Sequence, residues 1–178
     1  LIVGCGTGYE LGYLLQLFPN WSFTATDLSE TMLDKAKQYI QPLDALHRVE
    51  FALADVDQLK TEQTYDAALS ILVTHFVPYA QKLNFFKAID SRLKQHGVFI
   101  GFDLTAIKTD QERCMLQHIC EANGLSTAQS TAMLSRLADD FYPLSEQETF
   151  EQLNLAGFGS VQRFTQILSY QGFMALKV

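Results

Sequence analysis

The stretch Leu1-Ile2-Val3-Gly4-Cys5-Gly6-Thr7-Gly8 is followed by an apolar-periodic run over residues 9–18. This order predicts the end of a buried strand, a glycine turn, and a helix whose N-terminus faces whatever lies over the turn. Alternate glycines let the backbone approach a ligand closely, and the first turn of a helix offers free N–H groups and a partial positive charge. The stretch therefore predicts a nucleotide or carboxylate site at the carboxyl edge of a parallel sheet.

Strand and helix patterns alternate along the first hundred residues. Further strands are predicted at 21–26, 49–53, 65–72 and 98–102, with helices after Ser29 and over 83–93. Strict alternation favours a parallel sheet with right-handed crossovers. The last two strands, 160–165 and 170–177, are joined by a short link and should pair antiparallel. The predicted fold class is α/β, with a doubly wound, mostly parallel seven-stranded sheet, a C-terminal antiparallel pair and a helical insertion after strand five.

The insertion covers residues 108–143, with helices predicted at 110–122 and 127–139, and a further helix follows at 145–156. An excursion of this length at a ligand edge predicts a lid or a pocket wall. A helical pair that only packs on the sheet is the alternative, and the sequence favours neither by much. We predict one domain over residues 1–178. Because the chain starts at Leu1, without Met and inside the first strand, we expect the full protein to carry a further N-terminal segment.

The composition limits the partners. With 13 Lys+Arg against 20 Asp+Glu, the net charge is −7, which repels a phosphate backbone, so we expect no nucleic acid partner. The three cysteines, Cys5, Cys114 and Cys120, form neither a C-x-x-C pair nor a His/Cys cluster, so we predict no disulfide framework and no metal site. No apolar run approaches the ~18 residues of a membrane span. We expect a cytoplasmic protein, and a homo-oligomer stays open.

Four motifs resemble those of the class I S-adenosylmethionine (SAM)-dependent methyltransferases. They are Gly4-Cys5-Gly6-Thr7-Gly8, the run over 25–33, Ala54-Asp55-Val56, and the closing segments 156–158 and 172–177. The resemblance implies transfer of the SAM methyl group to a small-molecule acceptor, with S-adenosylhomocysteine (SAH) as product. A non-catalytic SAM-binding or interaction domain stays open. An NAD-dependent oxidoreductase is a weaker alternative, because its fingerprint needs glycine at Tyr9 and its fold continues in parallel.

The resemblance also implies roles for individual residues. Asp27, at the end of strand two, would accept both ribose hydroxyls, whereas a helix cap ahead of Ser29 is the alternative role. Asp55 would accept the adenine amine and Val56 would give its backbone N–H to the ring, whereas a solvated loop acid is the alternative role of Asp55. The predicted cofactor-binding set is Gly4, Cys5, Gly6, Gly8, Asp27, Leu28, Met32, Asp55, Val56, Ser70 and Ile71, with Leu28 and Met32 as apolar walls and Ser70 and Ile71 beside the methionine part.

His75 is the candidate catalytic residue. It follows strand four, near the expected position of the methyl group, and histidine accepts protons near neutral pH. A histidine that is merely hydrogen-bonded under the next loop is an equally good interpretation. Asp103, after strand five, is a similar candidate. Phe76, Phe141 and Tyr142 are candidate pocket walls.

Two departures from the family pattern stand out. Many members carry an acid where Ile2 stands, so backbone carbonyls or another side chain must place the SAM amino group. The insertion and the tail resemble the enzymes that make carboxymethyl-SAM for transfer RNA modification. Residues 130–132, however, supply no arginine where those enzymes use one to hold the extra carboxylate, so ordinary SAM is expected.

Overall fold

The computed structural model describes residues 1–60 and 64–178. Within them lie seven strands, β1 Ile2–Val3, β2 Phe23–Asp27, β3 Val49–Leu53, β4 Tyr65–Ile71, β5 Leu93–Leu104, β6 Phe158–Ile167 and β7 Tyr170–Lys177. The six α-helices in these residues are α1 Tyr9–Leu17, α2 Glu30–Ile40, α3 Tyr79–Arg92, α4 Asp110–Ala122, α5 Thr127–Asp139 and α6 Glu146–Ala156. None of the helices in this part of the chain combines the length and apolar character needed to cross a membrane.

The strands form one sheet in the order β3-β2-β1-β4-β5-β7-β6. The first five are parallel, and β7 runs antiparallel to both β5 and β6. The predicted α/β fold class is confirmed. Chain order reverses at β1, which lies between β2 and β4, and such a switch point opens a crevice at the carboxyl ends of the strands.

The sheet buries both of its faces. Successive residues of a strand point to opposite faces, so Ile2 joins one apolar cluster and Val3 the other. Leu11 of α1 and Ile40 of α2 pack in the Ile2 cluster. The Val3 cluster lies under α3 and α6, and its members include Phe86, Phe99, Leu153 and Phe158. These two layers hold the carboxyl edge of the sheet in place.

The starts of α3 and β5 differ most from the sequence prediction, whereas β2 begins two residues later than predicted, at Phe23, and β6 is longer, at Phe158–Ile167. Helix α3 begins at Tyr79 rather than at residue 83, because Pro78 occupies the N-cap, where its fixed φ of −55° suits a helix start. Strand β5 begins at Leu93 rather than at residue 98. Leu93 already pairs with Tyr65, and a bulge then absorbs the residues before Val98, with His96 at a φ of 63°.

The two ends of the insertion lie side by side where they join the sheet, and this junction between Thr105 and Leu144 is here called the neck. Thr105 forms a parallel bridge with Leu144, and the Ala106 N–H donates to the Leu144 carbonyl at 3.1 Å. Helices α4 and α5 pack mainly on each other. Ser130, for example, donates to Glu121 at 2.9 Å. This arrangement is compatible with a lid, which stays a prediction.

Candidate functional site

The glycine loop connects β1 to α1 in a left-handed backbone conformation. Gly4, Gly6 and Gly8 have φ values of 69°, 52° and 81°, a region in which L side chains are strained. A Cβ on Gly8 would lie 2.8 Å from the Cβ of Ala36, so α1 and α2 can approach only because this residue is glycine. A Cβ on Gly6 would meet nothing within 4 Å. The loop is thus packed on one side and open at Gly6.

Asp27 binds the glycine loop directly. Its Oδ2 accepts from the Gly6 N–H and its Oδ1 from the Ser29 N–H, both at 2.9 Å. Ser29, not Asp27, caps α2, since its side chain accepts from the Met32 N–H. A carboxylate has about four lone-pair positions, so about two remain for a ligand. The alternative role of Asp27 as the cap of α2 is therefore wrong, although its ribose role stays a prediction.

Asp55 and Val56 lie at the same edge, after β3. The Asp55 Oδ1 accepts from the Val56 N–H at 2.6 Å, and the Gln58 side chain bonds back to the Asp55 N–H at 3.0 Å. Asp55 therefore caps a 3-10 turn over Val56–Gln58. The predicted donation of the Val56 N–H to an adenine ring competes with this bond. The Asp55 side chain also accepts from the Gln58 backbone N–H, which completes a capping box.

The other predicted cofactor residues differ widely in exposure. Leu28 is exposed and Met32 is half-buried, so both can be reached from the edge. Ile71 is half-buried, and Ser70 is buried with no hydrogen-bond partner for its hydroxyl among the described residues. Burial, and to a lesser extent the charge of Asp27, raises the pKa of the Cys5 thiol to about 12. Cys5 is therefore neutral at physiological pH and cannot act as a thiolate.

His75 and Asp103 form a buried pair. The Nδ1 of His75 lies 2.5 Å from the Oδ1 of Asp103. Asp103 also accepts from the backbone N–H groups of Thr74, His75 and Leu104, at 2.5, 3.3 and 2.7 Å. A carboxylate partner fixes the proton on Nδ1 and leaves Nε2 as an acceptor. The two sequence candidates are thus one unit, joined across the ends of β4 and β5.

Aromatic side chains enclose His75. Its ring centroid lies 4.1 Å from that of Phe76 and 4.8 Å from that of Phe141. The insertion also contacts its backbone, because the Tyr142 N–H donates to the His75 carbonyl at 2.7 Å. His75 is only 5% exposed, so a substrate can reach its ring only if the segment around Phe141 moves.

Lys82, which the sequence analysis did not identify, is buried beside the pair formed by His75 and Asp103. It is 1% exposed and donates to the Thr74 carbonyl at 2.6 Å. Burial lowers its pKa from 10.5 to about 8, and the charge of Asp103 opposes that shift. A cavity of about 20 Å³ lies between Lys82, Asp103 and Gln171, large enough for one water molecule. A lysine on an amphipathic helix is ordinarily solvated, so nothing in the sequence pattern indicates this burial.

A larger recess, here called the insertion pocket, lies beside the pair. Its volume is about 560 Å³. It is bounded by Tyr79, residues 104–110, Arg113, Leu134, Leu137, Phe141, Pro143 and Ser169. Because Phe141 also contacts His75, the pocket adjoins the candidate catalytic pair. A further recess, of about 940 Å³, lies where β2, β3 and β4 begin, at the edge opposite the glycine loop.

A family comparison matches the first half of the chain. The matching family model is described as a methyltransferase domain, and it covers residues 1–99. This range contains the glycine loop, Asp27, Asp55 and His75, and it ends before Asp103 and the insertion.

Two curated relatives differ in coverage. The carboxy-S-adenosyl-L-methionine synthase of Trichodesmium erythraeum is 23% identical over 180 residues, 98% of this chain and 71% of that protein. The malonyl-[acyl-carrier protein] O-methyltransferase of Priestia megaterium is 37% identical over 70 residues, 39% of this chain and 24% of that protein. The chain thus spans about a quarter of the second relative's length.

Solved structures share the fold. The SAM-dependent methyltransferase SibL superposes with a TM-score of 0.73 at 16% identity, over 99% of this chain and 49% of SibL. The magnesium protoporphyrin IX methyltransferase of Synechocystis PCC 6803, solved with SAH, superposes with a TM-score of 0.68 at 18% identity. The match covers 99% of this chain and 72% of that protein. At such identities the likeness establishes the architecture and leaves the acceptor unassigned.

Proposed function

This chain belongs to the methyltransferase domain family, in its class I SAM-dependent form, and from that premise we propose that it transfers a methyl group from SAM to a small-molecule acceptor. The main support for this proposal is the hydrogen bond that the Gly6 N–H donates to Asp27 at the switch point of the sheet. It joins the open glycine loop to the carboxylate of Asp27, the last residue of β2. Both sequence motifs of a nucleoside site therefore meet in one place.

The residues at this edge fit SAM. Gly6 faces open space where a ligand can approach the backbone, and no side chain caps the N-terminus of α1. Asp27 keeps about two lone-pair positions for ribose hydroxyls. Ile2 is buried in an apolar cluster and offers no carboxylate. Main-chain carbonyls of the glycine loop and of Ser70 would hold the amino group of SAM.

When bound, SAM supplies an electrophilic methyl group on a sulfonium. The protein has to orient the donor and the acceptor and exclude water, which can lower a barrier by ~7–11 kcal/mol. The glycine loop and Asp27 position the methyl donor. The insertion pocket positions the acceptor, and its Phe141 covers His75.

His75 takes the acceptor proton. Asp103 holds the proton on Nδ1, so Nε2 is the basic atom, and no described residue bonds to it. As the methyl group is transferred, the acceptor oxygen or nitrogen loses its proton to Nε2. General base catalysis of this kind typically contributes 10²- to 10⁴-fold.

Synthesis of carboxy-SAM is a second candidate, because a relative of that name aligns with 98% of this chain. The residues at 130–132 argue against it. Ser130 is buried and donates to Glu121, and Thr131 accepts weakly from Gln117 at 3.5 Å. Neither offers the positive charge that a second carboxylate needs.

The direct test is turnover. The purified protein is incubated with SAM and a panel of small hydroxylated and aminated acceptors, and SAH and methylated product are quantified by mass spectrometry. The proposal expects SAH and a singly methylated acceptor in equal amounts. Binding of SAM without any turnover would instead favour the non-catalytic alternative, and formation of carboxy-SAM in a parallel incubation that also supplies a carboxyl-donating organic acid would favour the second candidate.

A further inference from the structure

The insertion pocket has one apolar side. Leu134 is 2% exposed, and it lines the pocket together with Leu137, Phe141 and Ile107. Pockets of about this volume take small organic ligands, whose bodies are held by apolar walls. The apolar side therefore suits a hydrocarbon or an aromatic ring.

Its other side carries charge. Lys108, Asp110 and Arg113 line it, so two cations face one anion in a protein whose net charge is −7. Lys108 and Asp110 are exposed, whereas Arg113 is half-buried. Arg113 is therefore the charge that the pocket removes most from water.

Arg113 has no partner among the described residues. Among the side chains that the structure describes, in residues 1–60, 64–137 and 140–178, none forms a hydrogen bond or an ion pair with its guanidinium, although Asp110 lies one turn away. The other four arginines all have partners. Arg48 and Arg92 donate to backbone carbonyls, Arg136 pairs with Asp140, and Arg163 pairs with Glu146. A guanidinium that is partly removed from water and left unpaired is poised for an anionic ligand.

The pocket places this charge near the candidate base. Phe141 touches both the pocket and the ring of His75. Leu104 and Thr105, which also line the pocket, directly follow Asp103. A molecule in the pocket can therefore lie between Arg113 and the Phe141 segment, and movement of that segment would give the molecule access to His75.

We propose that the methyl acceptor is an amphiphilic acid, whose carboxylate pairs with Arg113 while its apolar body packs on Leu134, Leu137 and Phe141. This inference rests on the proposed function, because it concerns the acceptor half of that site. The carboxylate is an anchor and not the methylated group. The hydroxyl or amine that gains the methyl group lies at the other end of the molecule, near His75, and its proton passes to His75 Nε2.

The test compares acids with matched amides. Dissociation constants are measured by NMR for the SAH-loaded protein with 4-hydroxyphenylacetate, 4-hydroxyphenylacetamide and a panel of longer aromatic and aliphatic hydroxy acids with their carboxamides. We expect acids of the panel to bind roughly 10- to 100-fold more tightly than their amides, as loss of a charge-assisted pair predicts. Arg113→Gln should abolish that preference, and Arg113→Lys should keep part of it because the charge remains.

Arg136→Gln is the matched control, because Arg136 lies in the same insertion, is exposed, and already pairs with Asp140. It should leave the preference for acids intact. Equal binding of acids and amides, no binding by any acid, an unchanged preference in Arg113→Gln, or a methyl ester as the reaction product would each overturn the inference. The affinity for SAH distinguishes a failure of this inference from a failure of the proposed function. If SAH binds normally and the acid preference is absent, only this inference fails, whereas failure of SAH to bind removes the proposed function as well.

Discussion

Asp103 holds His75 through both of its carboxylate oxygens. Oδ1 lies 2.5 Å from the His75 Nδ1, and Oδ2 accepts from the His75 backbone N–H at 3.3 Å. One side chain at the end of β5 thus fixes the ring and the backbone of a residue that follows β4. Such double support orients the imidazole without needing a third residue, as a positioned base requires.

Removing the imidazole should therefore abolish turnover and spare cofactor binding. We expect His75→Gln to lower kcat roughly 10²- to 10⁴-fold, with SAH affinity within about twofold of the parent. Steady-state kinetics on any acceptor that turns over, together with SAH titration, measures both. His47→Gln is the control, because His47 is exposed and lies by the recess at the opposite edge of the sheet. An unchanged kcat in His75→Gln would leave His75 as a packing residue.

Lys82 gives the stability a defined pH dependence. Its pKa is about 8 in the folded chain against an ordinary 10.5, so between these values the unfolded state binds the extra proton. Stability therefore rises as the pH increases through this window, by at most ~3 kcal/mol. Below about pH 8 both states hold the proton, and the burial penalty on the charged form is fully present.

Chemical denaturation of the parent and Lys82→Met at pH 7 to 10.5 tests this expectation. Subtracting the two curves cancels other titrating groups, and the difference should shift in favour of the parent as pH rises. Lys87→Met, an exposed position on the same helix, should leave the parent's slope unchanged. A difference that is flat with pH would show that Lys82 keeps an ordinary pKa.

The insertion should become less mobile when the site fills. Helices α4 and α5 pack mainly on each other and join the sheet at the neck between Thr105 and Leu144, so opening them breaks few contacts. We expect amide exchange in α4 and α5 to slow when SAH and an acceptor-like acid are added, while β4 and β5 change little. Equal exchange with and without ligands would make the helical pair a packing element.

The glycine loop and the strand order could be predicted from sequence because they rest on local rules. Glycines at positions 4, 6 and 8 mark a turn that other residues resist, and alternating strands and helices imply a parallel sheet. The pairing of His75 with Asp103 could not be predicted, because it depends on two strand ends 28 residues apart. The burial of Lys82 and the free guanidinium of Arg113 likewise depend on tertiary packing, which a helical pattern does not encode.

Asp27 should prove important for both binding and stability. Asp27→Ala removes a ligand position and two backbone partners, so we expect SAH affinity to fall roughly 10- to 150-fold and unfolding free energy to fall by ~1–3 kcal/mol. Asp27→Asn should also lose one backbone bond, because its NH₂ cannot accept from an N–H. Asp34→Ala, which breaks only an exposed pair with Lys37, should change both quantities little. An affinity unchanged in Asp27→Ala would remove Asp27 from the site.

Calorimetric titration of the unmodified protein with SAM, SAH and NAD tests whether the edge formed by Gly6 and Asp27 binds SAM. The open glycine loop and the single carboxylate suit a nucleoside joined to an amino acid, and Tyr9 stands where a pyrophosphate site needs glycine. We expect saturable binding of SAM and SAH at one site per chain, with no detectable binding of NAD. Binding of NAD more tightly than SAH, or no binding of SAH, would contradict it.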